Sequence, residues 1–241
     1  MKQLALGVML RANALFANFH PGPNEEVLAA LRRPDADPIW LWGSAGCGKS
    51  HLLQAVCAAT EGPAAYLPLS PVSGVPLPPE ALRGFADCRA VCVDDVDAAA
   101  GDLSWEQALF RLFNEAEESR ARLVFAARAA PRGIEWRLDD WRSRAGACVV
   151  YQVRELDEAG RARALELRAA QRGLKLPAET LDYLMKRMPR DLRSLFDILD
   201  ELDEASLAAQ RRLTIPFIRD ALEKHADTKP SRRTSRTSET G

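Results

Sequence analysis

The sequence is poor in the residues that build metal centres and disulfide frameworks. Among 241 residues there are five cysteines and three histidines. Cys47, Cys57, Cys88, Cys92 and Cys148 are odd in number and never form C-x-x-C, and His20, His51 and His225 share no ligand-like spacing. This argues against a structural zinc site and against a stapled secreted scaffold. Cys57, Cys92 and Cys148 stand among apolar neighbours and read as small core residues, which suits a reducing cytosol. Charge of one sign is also lacking. The net charge is −1, so no global field draws the chain to nucleic acid or membrane. Nor is there a long apolar run: nothing approaches the roughly 18 residues needed to cross a bilayer. Lys2, the run 4–10 and Ala12-Asn13-Ala14 imitate a secretory leader, but the run is short and Arg11 interrupts the approach to the A-x-A site. The expected location is the cytoplasm. A guanine-recognising N-K-x-D motif is missing as well, which counts against a GTPase.

What the chain does have is a core and a glycine loop. Apolar residues make up 47%, enough for one large domain or a medium and a small one. Gly43-Ser44-Ala45-Gly46-Cys47-Gly48-Lys49-Ser50 fits G-x-x-x-x-G-K-[ST] without a mismatch. It follows the apolar run Pro38-Ile39-Trp40-Leu41-Trp42 and precedes a helix-like stretch from His51 to Ala59, the strand–loop–helix context that the motif needs. Glycines let backbone N–H groups turn inward around phosphates, and the helix start adds its partial positive charge. Lys49 is placed to reach the β- and γ-phosphates, and the Ser50 hydroxyl to bind Mg²⁺. A second apolar strand, Ala90-Val91-Cys92-Val93, ends in Asp94-Asp95. Asp94 can hold Mg²⁺ through water opposite Ser50, and Asp95 can polarise an attacking water.

Strand patterns at 64–69, 90–93, 122–126 and 147–153 alternate with helical ones, including a helix capped by Ser104, and predict a parallel sheet covered on both faces. Beyond Asp157 only helical periodicity remains: one helix to Arg172 stopped by Gly173, one from Pro177 to about Arg187, one within 189–210, and a short one from Ile215 to Lys224 capped by Thr214. The segment Thr228 to Gly241 is rich in Ser and Thr and holds Lys229, Arg232, Arg233 and Arg236 against Glu239. It reads as a disordered basic tail.

These features together resemble the AAA+ ATPases related to the bacterial replication initiator DnaA, and within them the Hda family of short DnaA homologues. The segments that carry the likeness are Phe16-Ala17-Asn18-Phe19, Gly43 to Leu53, Asp94-Asp95, Ala130-Pro131-Arg132, Ser143-Arg144, Asp191-Leu192-Arg193 and Leu213-Thr214-Ile215-Pro216-Phe217, spread over residues 1–225. The resemblance implies an α/β AAA+ P-loop NTPase domain with a five-stranded parallel sheet over 13–155, a small all-α lid over 156–226, and a tail at 227–241. It implies ADP or ATP with Mg²⁺ as cofactors, bound by Gly43 to Ser50 with His51, by Phe19 near the adenine, and by Arg193 from the lid. Arg144 matches an arginine offered in trans to a neighbour's nucleotide, with Arg142 as a nearby rival. Gln3, Leu4, Leu6 and Val8, in the segment 1–12, resemble a peptide that docks on the β subunit of the DNA polymerase sliding clamp, with Val8 in place of a larger residue. The partners implied are the clamp, DnaA, DNA indirectly through the clamp, and a further copy of the chain, all at the nucleoid or replisome.

One departure from the family stands out. Leu123-Val124-Phe125-Ala126-Ala127 ends in alanines where AAA+ ATPases usually present a polar side chain to the γ-phosphate. Autonomous hydrolysis is therefore expected to be weak at most, and a regulator that acts on a partner's ATP fits better. The competing readings are an initiator or helicase loader that engages DNA itself, and an unrelated P-loop kinase or GTPase. The stretch 226–241 after the lid is too short for the helix-turn-helix domain of an initiator.

Overall fold

The computed structural model describes residues 14–34, 37–70, 77–85, 87–174, 176–187, 192–209 and 215–219, with backbone alone at 193 and 206–209. By its contacts the chain divides into two compact units, one ending at Ala164 and the other beginning at Leu165.

The first unit is a five-stranded parallel sheet. Its strands are β1 (Ile39–Trp42), β2 (Ala64–Pro68), β3 (Ala90–Asp94), β4 (Arg122–Ala127) and β5 (Val149–Gln152), in the order β2-β3-β4-β1-β5. Strands buried on both faces need side chains that are apolar throughout, and β3 and β4 answer that with Ala-Val-Cys-Val and Leu-Val-Phe-Ala-Ala. Alternation along the strands sends successive side chains to opposite faces. Trp40, Val91, Val93, Leu123, Phe125 and Ala127 go to one, where they pack with helices α3 (Leu103–Ser119) and α4 (Asp139–Ala147) through Leu109, Leu112, Phe113 and Trp141. Ile39, Leu41, Cys92, Val124 and Ala126 go to the other, against α1 (Glu25–Arg32) and α2 (Lys49–Ala59) through Leu28, Leu31, Leu52, Leu53 and Val56.

The start of α3 differs from expectation. Asp102, not Ser104, is its cap: one carboxylate oxygen accepts from Ser104 N (2.9 Å) and Trp105 N (3.4 Å), and the Ser104 hydroxyl donates to the same oxygen. A carboxylate at a helix N-terminus gains from the dipole as well as from the hydrogen bonds, so it displaces the hydroxyl.

The second unit is helical. The division falls within α5 (Glu158–Gln171), which is followed by α6 (Ala178–Arg187), α7 (Leu192–Ala209) and a helical turn at 215–219. Gly173, with φ +70°, ends α5, and Leu174 N returns to Ala169 O at 2.9 Å, the left-handed stop that glycine permits. Leu165, Ala169, Leu184, Leu195 and Leu199 form its buried face. Arg168 of α5 and Arg172, just beyond it, reach Asp200 at 2.8 and 2.9 Å, and Arg172 reaches Asp203 of α7 at 3.0 Å. Thr214 and residues 220–241 lie outside the described residues. Among the described residues no helix is long and apolar enough to cross a membrane.

Candidate nucleotide-binding site

In open parallel sheets the ligand crevice lies beyond the carboxyl ends of the strands, and the loop from Gly43 to Gly48 stands there, between β1 and α2. Two of its glycines are required sterically. A Cβ on Gly43 would lie 2.3 Å from the Val153 carbonyl oxygen, and one on Gly48, whose φ is +105°, would lie 2.8 Å from the Phe19 ring. The loop is thus wedged between the chain leaving β5 and the aromatic side chain that enters the domain. Phe19 also lies 5.7 Å, ring to ring, from His51 in the first turn of α2, and His51 Nε2 is 2.9 Å from the Leu15 carbonyl.

Lys49 is buried, at 7% exposure, although a lysine rarely is. Its ammonium donates to the carbonyls of Gly43 (2.7 Å) and Ser44 (2.8 Å) and lies 3.8 Å from Cys47 Sγ. Burial pushes the Cys47 thiol up, against the opposing pull of Lys49. The Ser44 hydroxyl donates to Glu155 at 2.5 Å. A cationic side chain folded under a ring of glycine backbone is suited to a polyphosphate.

Asp94, 2% exposed at the end of β3, is the second part. Tyr66 of β2 donates to one carboxylate oxygen (2.7 Å) and the Asp95 backbone N–H to the other (3.0 Å). Burial pushes the Asp94 carboxyl above its ordinary range, while hydrogen bonds from Ser50 and Tyr66 pull it down. Burial, and then the charge of Asp94, also push the Tyr66 phenol up. The pairing of Ser50 with Asp94 brings together the hydroxyl and carboxylate that a magnesium-bound triphosphate asks for, so the residues present fit such an ion. Among the described residues no cluster of three or more His, Cys, Asp or Glu could hold a metal by itself. Asp95 has φ +54°, a left-handed conformation that aspartate tolerates better than most residues.

The end of β4 is closed. Ala126 and Ala127 are fully buried, in register with Leu41 and Trp42. Arg128, the next residue, is on the surface: its backbone N–H donates to Asp97 at 3.2 Å and its guanidinium lies 3.9 Å from the same carboxylate.

Both candidate arginines lie on α4, apart from the phosphate loop in sequence and held by different partners. Arg142 pairs with Asp139 one turn back at 2.5 Å. Arg144 pairs through Nη1 with Glu117 of α3 at 3.1 Å and lies over the Phe113 ring, 5.4 Å from its centroid. The helix that carries them is anchored by Trp141, which is fully buried among Trp40, Phe113, Phe125 and Trp136. Its entry is fixed by Glu106 of α3. That buried carboxylate accepts from Arg137 N (2.8 Å), Leu138 N (2.7 Å) and Gly101 N (2.9 Å). Gln3, Leu4, Leu6 and Val8 lie outside the described residues, as does the side chain of Arg193, whose backbone is in the first turn of α7.

Tyr66, Glu155, Glu106 and Glu117 belong to no motif of the sequence. Tyr66 and Glu155 touch candidate site residues across 28 and 111 positions, a separation that no local motif encodes.

Residues 157–222 match the family model described as Hda, lid domain, and residues 39–119 match one described as RNA helicase. Among solved structures, domain III of the Thermotoga maritima replication initiation protein DnaA superposes with a TM-score of 0.72 at 20% identity, over 88% of this chain and 97% of that one. AMPPCP-bound DnaA from Aquifex aeolicus gives 0.66 at 20% identity, over 91% and 71%. The Thermotoga maritima Holliday junction motor RuvB gives 0.61 at 11% identity, over 87% and 73%. The strand order, the phosphate loop and the helical unit that follows agree with these likenesses: the chain has the fold of the DnaA AAA+ domain and carries, over 157–222, a lid that matches the Hda type.

Proposed function

We propose that the chain is a negative regulator of replication initiation, which binds ADP or ATP at its own phosphate loop and promotes hydrolysis of ATP held by DnaA. The observation that carries this reading is the Hda-type lid, matched over 157–222, on a DnaA-like α/β unit. In the cis site Gly43 to Ser50 and His51 would cradle the phosphates, Phe19 would border the base, Ser50 and Asp94 would hold Mg²⁺, and Arg193 is the candidate nucleotide contact of the lid. Asp95 is the candidate base for residual cis hydrolysis, and the buried alanines that end β4 favour a nucleotide-sensing site over a strong ATPase. Arg144 acts in trans. When water attacks the γ-phosphate of the partner's ATP, charge spreads over the equatorial oxygens, and a guanidinium placed there is worth about 10³–10⁵ in rate in the GTPase examples. Gln3 hydrogen-bonds at the rim of a clamp pocket while Leu4, Leu6 and Val8 fill it as an extended peptide, so hydrolysis follows the loaded clamp.

The test mixes this chain with ATP-bound DnaA, clamp loaded on DNA and labelled ATP. Accelerated hydrolysis is expected, lost in Arg144→Ala and in Gln3→Ala and kept in Arg142→Ala. Unchanged hydrolysis with the wild-type chain sinks the proposal. The likeness to RuvB and the RNA helicase match over 39–119 favour, as the second reading, an ATPase that acts on DNA directly as initiator or loader. Tight DNA binding without clamp is the result that selects it.

A further inference from the structure

The surroundings of Arg144 carry an inference that rests on its role in trans. An arginine on a surface helix ordinarily samples many rotamers, and ordering it at the moment of reaction costs rate. Here two side chains of α3, one turn apart, hold it. Glu117 approaches only Nη1, with one carboxylate oxygen at 3.1 Å and the other at 3.4 Å. Phe113, itself 2% exposed and fixed by the core, lies beneath the guanidinium at 5.4 Å. Among the described residues no partner falls on Nε or Nη2 of Arg144. That is the edge through which arginine grips a phosphate with two parallel hydrogen bonds. The Arg144 side chain remains 40% exposed, so it is accessible to a neighbour.

We infer that Glu117, seconded by the ring of Phe113, is the positioning residue of the trans-acting arginine: it fixes the guanidinium by Nη1 and leaves the Nε–Nη2 edge ready for the phosphoryl group of a nucleotide bound to the partner. Glu117 touches no substrate and adds no binding surface. Its loss therefore lowers the rate in the assembled complex and leaves the concentration needed to assemble it unchanged. The opposite arrangement, a carboxylate latch that sequesters Arg144 until a phosphate displaces it, predicts a faster reaction without Glu117.

The experiment measures single-turnover hydrolysis of ATP bound to DnaA, with DNA-loaded clamp, as the concentration of this chain is raised. For Glu117→Ala the maximal rate is expected to fall by about two- to fivefold, the scale of one exposed ion pair, with half-saturation unmoved. Glu117→Asp or Glu117→Gln restores part of the rate, and Glu117→Ala added to Arg144→Ala costs nothing further. In parallel, NMR relaxation of the Arg144 Nε–Hε group is compared between wild type and Glu117→Ala, and the variant is expected to lose order there. An unchanged maximal rate together with an equally ordered Nε overturns the inference, as does a faster variant. No stimulation by the wild-type chain overturns the trans role of Arg144 and this role for Glu117 with it, whereas an inference that fails alone leaves the wild-type stimulation intact.

Discussion

At the scale of single residues, the buried carboxylate of Asp94 has a measurable consequence. Burial raises its pKa, and the hydrogen bonds from Ser50 and Tyr66 only partly offset this. A carboxyl whose folded pKa lies above its unfolded one binds more protons in the native state. Stability therefore falls as pH rises from the ordinary aspartate range through the raised folded value. Asp94→Asn removes that titration. Without nucleotide or metal, the urea midpoint of the variant relative to wild type is expected to rise as pH climbs above the ordinary aspartate range of about pH 4. A constant difference over that climb would show that Asp94 does not titrate as its burial requires. Lys49, buried at 7% exposure, has its side-chain nitrogen satisfied by the loop's own backbone, through hydrogen bonds to the Gly43 and Ser44 carbonyls.

At the scale of elements, α4 is the part that the function reading leans on most, and α3 is its splint. Glu106 fixes its entry, Trp141 its middle and Glu117 its last turn. Replacing a fully buried tryptophan by alanine removes large apolar area and leaves a cavity. Trp141→Ala is thus expected to cost about 3–5 kcal/mol in urea denaturation. Trp141→Phe, which also removes a buried indole N–H that lacks a partner among the described residues, is expected to cost less. Equal losses for the two would contradict the packing argument. How much of this was legible in the sequence follows from physics. Five strands and the phosphate loop were readable because a parallel sheet asks for nearly unbroken apolar runs, and β3 ends at its first acid. The lid helices were readable from their 3.6-residue period and from Gly173. By contrast α4 buries only Trp141 and Ala145 among nine residues, too few to mark a face, so the sequence pointed to it through resemblance alone. The contacts that set the site, Tyr66 with Asp94 and Arg144 with Glu117, join different elements and answer to topology rather than to spacing.

At the scale of the whole molecule, the two units each carry their own buried face, and the candidate nucleotide is what links binding to stability. A ligand that binds only the folded chain adds about 2.7 kcal/mol at a hundred times its Kd. ADP or ATP with Mg²⁺ is therefore expected to raise the Tm of the wild-type chain by several degrees and to leave that of Lys49→Ala unmoved, read by differential scanning calorimetry. An equal rise in both would place the nucleotide elsewhere. The two units need not respond alike, and a calorimetric trace that resolves two transitions would show which of them the ligand stabilises.

The sealed end of β4 also bears on how such a chain can change over time. Ala126 packs in the layer shared with Leu41 and Ala127 in the layer shared with Trp40, and both are without solvent exposure. A longer polar side chain introduced at either place meets a filled interior, where overpacking costs about 1–3 kcal/mol. Loss of a polar group here is a single, quiet substitution, while its recovery requires neighbours to shrink first. Packing thus acts as a ratchet: a lineage that passed from turning over its own nucleotide to acting on another's would find the way back blocked by its own core.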